Sequence, residues 1–134
     1  MPYLLIGFLT VLTLALASAN PEEWRGMWPW VLGYYGATLA GDLWTTLRGL
    51  ERGYREGNLL YAKALLLGPW GMPLVDLGLI SLKVVFLTRL LGDPLLAYPV
   101  ALAIAGHGHL VGFLWNMGQL IGAPGQSPPP GDKP

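Results

Sequence analysis

Asp42, Asp76, Lys83, His109 and Asn116 stand in stretches of chain that are otherwise almost wholly apolar. Asp42 follows Gly33-Tyr34-Tyr35-Gly36-Ala37-Thr38-Leu39-Ala40-Gly41 and precedes Leu43-Trp44. A carboxylate in such surroundings is costly unless it has a partner and a use. On a helix, Asp42, Thr45, Thr46 and Gly49 fall at i, i+3, i+4 and i+7 and form one polar face. His109, Gly112 and Asn116 share a second face, and Asp76 and Lys83, seven apart, a third. Carboxylates, an imidazole and an ammonium at membrane depth can relay protons, line a solute path or hold a divalent ion.

Several templates are excluded. The chain has no G-x-S-x-G, and Ser81 is the one serine in the apolar stretches beyond residue 27, which argues against a serine nucleophile. There is no H-E-x-x-H. His107 and His109 are the only histidines, and two residues apart on a helix they diverge, which argues against bis-histidine haem. No cofactor is expected. A net charge of zero gives no sign of a nucleic-acid partner, and the absence of cysteine excludes disulfides and thiolate metal sites.

The elements that must position these side chains are apolar helices. Of 134 residues, 53% are hydrophobic and 12% charged, against about 25% charged in an ordinary soluble domain. The charges gather in short connections, leaving four long apolar runs. The sequence therefore predicts an all-α, polytopic membrane bundle with helices over about 3–19, 27–47, 70–91 and 95–122, as one unit spanning 1–123. The first run has two readings: a retained helix, or a signal peptide cleaved after Ala17-Ser18-Ala19. The lack of a preceding Lys or Arg favours the helix. Trp24, Trp28 and Trp30 mark a membrane interface. Gly33, Ala37 and Gly41 form a small-residue stripe suited to close helix packing, as do Gly108 and Gly112. Leu59 to Leu67 is too short to span and reads as an interfacial segment broken by Gly68-Pro69. Residues 124–134 are proline-rich and polar, the composition of a disordered tail.

Basic residues set the orientation. The 20–26 loop has Arg25 and the 89–94 turn has Arg89, whereas the 48–63 connection has Arg48, Arg52, Arg55 and Lys63. That connection, and both termini with it, is expected on the cytoplasmic side of the inner membrane. At ~1.5 Å per residue, Asp42, Asp76 and Asn116 then share a level about 8–9 Å inside the cytoplasmic helix ends. Glu56 and Asn58 lie just below them, and Lys83 and His109 nearer the midplane. His109 is expected to face the bundle and His107 to face away. Asp42 is expected to pair with Lys83, with Asp76 as its competitor for that ammonium.

Asp42-x-x-Thr45-Thr46, then Gly49 or Gly53, then Glu56-x-Asn58-x-Leu60, with Lys83 and Asn116 in later helices, resembles a family of small prokaryotic membrane proteins of unknown function. That family carries an intramembrane D-x-x-T-T followed by E-x-N-P. The resemblance covers about residues 30 to 120 and departs at Leu59, where the family has Pro. It implies a shared bundle and brings no activity.

Three function classes stay open. In a small transporter or proton-coupled carrier, Asp42, Asp76, Lys83 and His109 line a polar pathway. In an accessory subunit of a larger membrane complex, the glycine stripes are the contact. In a membrane-embedded hydrolase, carboxylates and His109 hold a metal. A chain this small would need to oligomerise to enclose a solute path. Each polar group also has a purely architectural reading: a register-fixing ion pair, threonines bonded back to helix carbonyls, interhelical hydrogen bonds, and loop caps at Glu56 and Asn58.

Overall fold

The computed structural model describes residues 2–56 and 58–122, and these form an all-α protein. Long helices α1 (Pro2–Ala19), α3 (Trp28–Glu51), α5 (Gly71–Leu91) and α6 (Pro94–Gly122) are joined by the short helices α2 (Pro21–Gly26) and α4 (Leu59–Ala64). A 3-10 turn, Leu65–Leu67, extends α4. The expected tail at 124–134 lies outside the described residues.

Helix ends follow local chemistry. Pro21 and Pro29 occupy the first turns of α2 and α3, where a missing N–H costs nothing. Asp93 accepts the Leu95 N–H at 2.9 Å at the start of α6, as expected of an N-cap carboxylate. Gly92 closes α5 in the left-handed region, φ 72°, donating to Thr88 O at 2.9 Å. The α5–α6 turn is then tied to α2 by the Arg25–Asp93 ion pair at 2.6 Å. α3 runs to Glu51, a turn beyond the predicted end at residue 47, because Arg48 can pair with Glu51 at 2.8 Å in the extra turn. Asn58 caps α4 by accepting the Leu60 N–H at 3.0 Å. Leu59 opens that helix, at the position where a proline would also be accommodated.

α6 is the hub: α1, α2, α3 and α5 all pack on it, with no comparable packing among the three long outer helices. Its Ala97, Val100, Ala101, Leu102, Ala103 and Ala105 are buried, with Ala17, Val31, Ile80 and Leu87 closing around them. Small residues on α6 let three neighbours come near at once. Pro99 sits inside α6 and is buried, near enough to the start that few helical hydrogen bonds are lost.

α6 is long and apolar enough to cross a membrane, and α1 is apolar but shorter. The surface is apolar as well. Leu74, Leu77, Leu82, Val85, Phe86 and Leu90 of α5 are exposed, as are Leu4, Phe8 and Val11 of α1. Asp42, Asp76, His109, Thr13, Thr45 and Thr46 are instead buried.

Candidate functional site

His109 lies at the centre of the site because α6 is the central helix. Its Nδ1 is 2.9 Å from Asp42 Oδ2 on α3, and its Nε2 is 3.1 Å from Asp76 Oδ2 on α5. One imidazole thus bridges two helices whose backbones are not packed closely together. An ionised carboxylate only accepts, so each of these two contacts requires a proton. The Asp42–His109–Asp76 triad therefore holds two protons, as an imidazolium between carboxylates or as a neutral ring with one protonated acid. Both distributions leave the same net charge of minus one.

The two carboxylates differ in their remaining partners. Asp76 also receives Tyr35 Oη at 2.5 Å and Tyr61 Oη at 3.1 Å, so three donors converge on it. Among the described residues, Asp42 receives only Asn116 Nδ2, at 3.2 Å, besides the histidine. The same Nδ2 is 3.3 Å from Thr45 Oγ1 and 3.1 Å from Thr46 Oγ1. Thr45 donates its own hydroxyl to the carbonyls of Gly41 and Asp42, each at 3.0 Å. Burial in this cluster, reinforced by Asp76, pushes the Tyr61 phenol up, so it remains a donor.

Gly112 admits Asp42 to α6. A Cβ at residue 112 would lie 2.7 Å from Asp42 Oδ1 and 2.8 Å from Oδ2. The glycine leaves room for a carboxylate against the helix where any other residue would place a side chain.

A cavity of about 300 Å³ opens beside Asp42, between α1, α3, α6 and the α3–α4 connection. Of its lining, Asp42, Thr45 and Thr46 are buried and, with half-buried Gly112 and Asn116, make the inner part, while exposed Arg55, Asn58 and Gln119, with half-buried Glu56 beside them, make the outer part. Tyr61 borders it too, but Asp76 does not. Triad and cavity together form an acceptor site with one accessible carboxylate and one sealed one.

The sequence-predicted residues divide into three groups. Asp42, Thr45, Thr46, Asp76, His109 and Asn116 come together in one network. Glu56 and Asn58 line the cavity but are engaged locally, Glu56 Oε1 accepting the Asn58 N–H at 2.8 Å. Lys83 is half-buried and, among the described residues, joins no ion pair or side-chain hydrogen bond. The expected Asp42–Lys83 pair is thus replaced by Asp42–His109–Asp76. The reason is level: seven residues, or ~10 Å of helix, separate Lys83 from Asp76, whereas His109 points directly between the carboxylates. Of the packing residues, Gly112 and Gly41 are close to neighbours, Gly41 facing the Phe113 ring at 3.1 Å. Gly33 and Ala37 are exposed, and Gly33 and Gly108 have nothing near a would-be Cβ. Among the described residues, then, no neighbouring helix packs closely against Gly33 or Gly108.

Tyr35 and Tyr61 were not singled out from the sequence. Tyr35 lies seven residues before Asp42 and so shares its face, a legible signal. Tyr61 gave none, since its approach to Asp76 depends on how α4 folds against α5. That fold is tight at Gly71, where a Cβ would fall 1.7 Å from the Ala64 carbonyl oxygen. His107 turns away from His109, as its position requires, and has partners of its own. Thr13 Oγ1 on α1 and Tyr34 Oη on α3 are each 2.8 Å from its ring nitrogens. Hydroxyls both donate and accept, so a neutral imidazole satisfies both contacts.

The chain matches no known protein family, no curated protein and no solved structure.

Proposed function

We propose that the protein is a small multi-pass membrane carrier that binds a solute at Asp42 and couples it to protons through the Asp42–His109–Asp76 triad. The observation that carries this reading is the cavity, which reaches one carboxylate of a hydrogen-bonded carboxylate–imidazole–carboxylate relay. Buried ionisable groups in membrane helices mark ion, proton or solute pathways, and a shared pair of protons can redistribute when a charged solute arrives.

The multi-pass membrane setting is supported by the inverted polarity of the surface. Exposed leucines and phenylalanines along α1 and α5 form an apolar surface far more extensive than isolated exposed residues. α3 and α5 are less apolar than α6 overall, but Asp42 and Asp76 are turned inward. Exposed Trp28 and Trp30 stand near one end of the helices, and exposed Trp44, Trp70 and Trp115 towards the other, matching two interfacial belts. Arg48, Arg52 and Arg55 cluster at the second end, which the orientation rule assigns to the cytoplasm with both termini. The cavity would then open towards the cytoplasm.

A second reading, an accessory subunit or homo-oligomer, has one observation in its favour. Gly33, Gly36, Ala37 and Ala40 are exposed on one side of α3 and leave a small-residue face for another membrane helix. The metal-dependent hydrolase is disfavoured. The carboxylates engage opposite nitrogens of one ring, and among the described residues no three His, Asp or Glu side chains converge on a common point.

Reconstitution in vesicles with a lumenal pH dye tests the carrier. An imposed pH gradient should dissipate faster with the protein than without it, and Asp42→Asn should abolish the difference. Equal rates for protein-containing and empty vesicles across a panel of cationic, anionic and neutral solutes would sink the carrier reading.

A further inference from the structure

We infer that the Asp42 cavity is a binding site for a small organic ammonium ion, a primary or secondary amine carrying an apolar body. The inference uses the site named in the carrier reading and adds the chemical class of what enters it.

Hydrogen-bond capacity comes first. An ionised carboxylate offers about four lone-pair positions. Asp42 has two donors among the described residues, and it is the carboxylate that borders the cavity. Asp76 already has three donors and lies outside the lining. Asn116 supplies a second acceptor. Its amide orientation is fixed by chemistry, because only its nitrogen can approach the Asp42 carboxylate at 3.2 Å. Its carbonyl oxygen meets no donor among the described residues, on a side chain that lines the cavity. The inner end of the cavity is therefore rich in acceptors, and a ligand there has to donate.

Charge comes second. The triad keeps a net negative charge with its two protons in place, so an anion is repelled. Arg55 and Glu56 line the outer part together and offset one another, leaving the inner carboxylate to decide the sign. Walls come third. Tyr3, Tyr54, Tyr61 and Trp115 line the same space, with Ile6 and Leu50. Aromatic faces attract cations, and apolar walls favour a hydrocarbon body. An inorganic cation would want an oxygen cage in place of these aromatic groups. A volume of about 300 Å³ lies at the lower end for ligand pockets, so the amine is small.

The test uses the full chain in nanodiscs of zwitterionic lipid, with calorimetry and tryptophan fluorescence as readouts. The probes are 2-phenylethylammonium, its neutral counterpart 2-phenylethanol and the anion 3-phenylpropanoate. The ammonium should bind saturably and at least ~10-fold more tightly than the alcohol, about the effect of one desolvated cation–π and carboxylate contact. Asp42→Asn should remove that preference. Because Asp42→Asn can also disturb folding, Trp115→Leu provides a second arm. It should weaken ammonium binding several-fold while keeping the order of the probes. Equal affinity for amine and alcohol, tighter binding of the anion, no saturable binding, or indifference to both substitutions would overturn the inference. Ammonium binding without solute-linked proton movement would sink the carrier and leave this inference standing. Proton movement driven by another solute, with no ammonium binding, would do the reverse.

Discussion

Gly112→Ala and Gly108→Ala differ by one turn of α6 and should have opposite effects. At residue 112 a methyl would lie 2.7–2.9 Å from the three carboxyl atoms of Asp42, where ordinary contact begins near 3.4 Å. The carboxylate would have to retreat by roughly 0.6 Å, beyond what close packing absorbs without loss. It cannot retreat freely, because His109 Nδ1 holds one oxygen at 2.9 Å and Asn116 Nδ2 the other at 3.2 Å. Moving away from the helix lengthens both bonds. A hydrogen bond to a charged group contributes about 1.5–3 kcal/mol, so weakening two costs about 2–4 kcal/mol. Replacing a helical glycine by alanine returns roughly 0.5–1 kcal/mol. The expected net loss for Gly112→Ala is about 1–3 kcal/mol. At residue 108 nothing lies within 4 Å of the new methyl, so Gly108→Ala should be neutral or stabilising by up to about 1 kcal/mol. Unfolding in mixed micelles, followed by circular dichroism, measures both. If Gly112→Ala is as stable as Gly108→Ala, Asp42 is not seated against α6 as described.

His109→Leu should cost about 3–5 kcal/mol, since it strands two buried carboxylates, and His107→Leu less, since it removes only two bonds to hydroxyls; equal losses in the same unfolding assay would contradict this order. The Asp93 carboxyl is held below its ordinary value of 3.8 by Arg25, so the stability it adds is present above that pH and is lost as pH falls through the lower folded value. Asp93→Asn, which keeps a capping side chain, should therefore lower the melting temperature near neutrality, with a deficit that shrinks below pH ~4; a constant deficit would show that the ion pair is not responsible. A reporter fused after Gly53 should be cytoplasmic and one at Asp93 external, and finding both on one side would refute the multi-pass topology.

Much of the site was legible because helical periodicity is a local property. The 42/45/46/49 face and the 109/112/116 face each need only the helix repeat to be drawn, and both meet in the structure. The identity of Asp42's partner was not legible. Depth counted along each helix placed His109 nearer the midplane than Asp42, yet the imidazole spans the gap and meets Asp42 Oδ2 at 2.9 Å. Residue counts give the height of a Cα, while a side chain's reach and the rotation of its helix decide what it touches. The hub role of α6 was hidden for a similar reason. A run rich in Ala and Gly reads as one apolar span among four, and only the packing of three helices onto it makes its small residues the core.

Lys83 shows how a charge in an apolar helix can be misread as a partner. Two carboxylates and one lysine on neighbouring helices suggest an ion pair, because a buried charge without compensation costs several kcal/mol. Here the imidazole supplies that compensation to both acids together, with three further donors from Tyr35, Tyr61 and Asn116. The half-buried Lys83 takes no part in that network among the described residues. Asp42→Leu and Lys83→Met should accordingly be independent. The double variant should lose the sum of the two single losses to within about 0.5 kcal/mol, the margin for sites that share no contact. A recovery in the double variant beyond that margin, measured by unfolding in micelles, would restore the Asp42–Lys83 pair and displace His109 as the centre of the network.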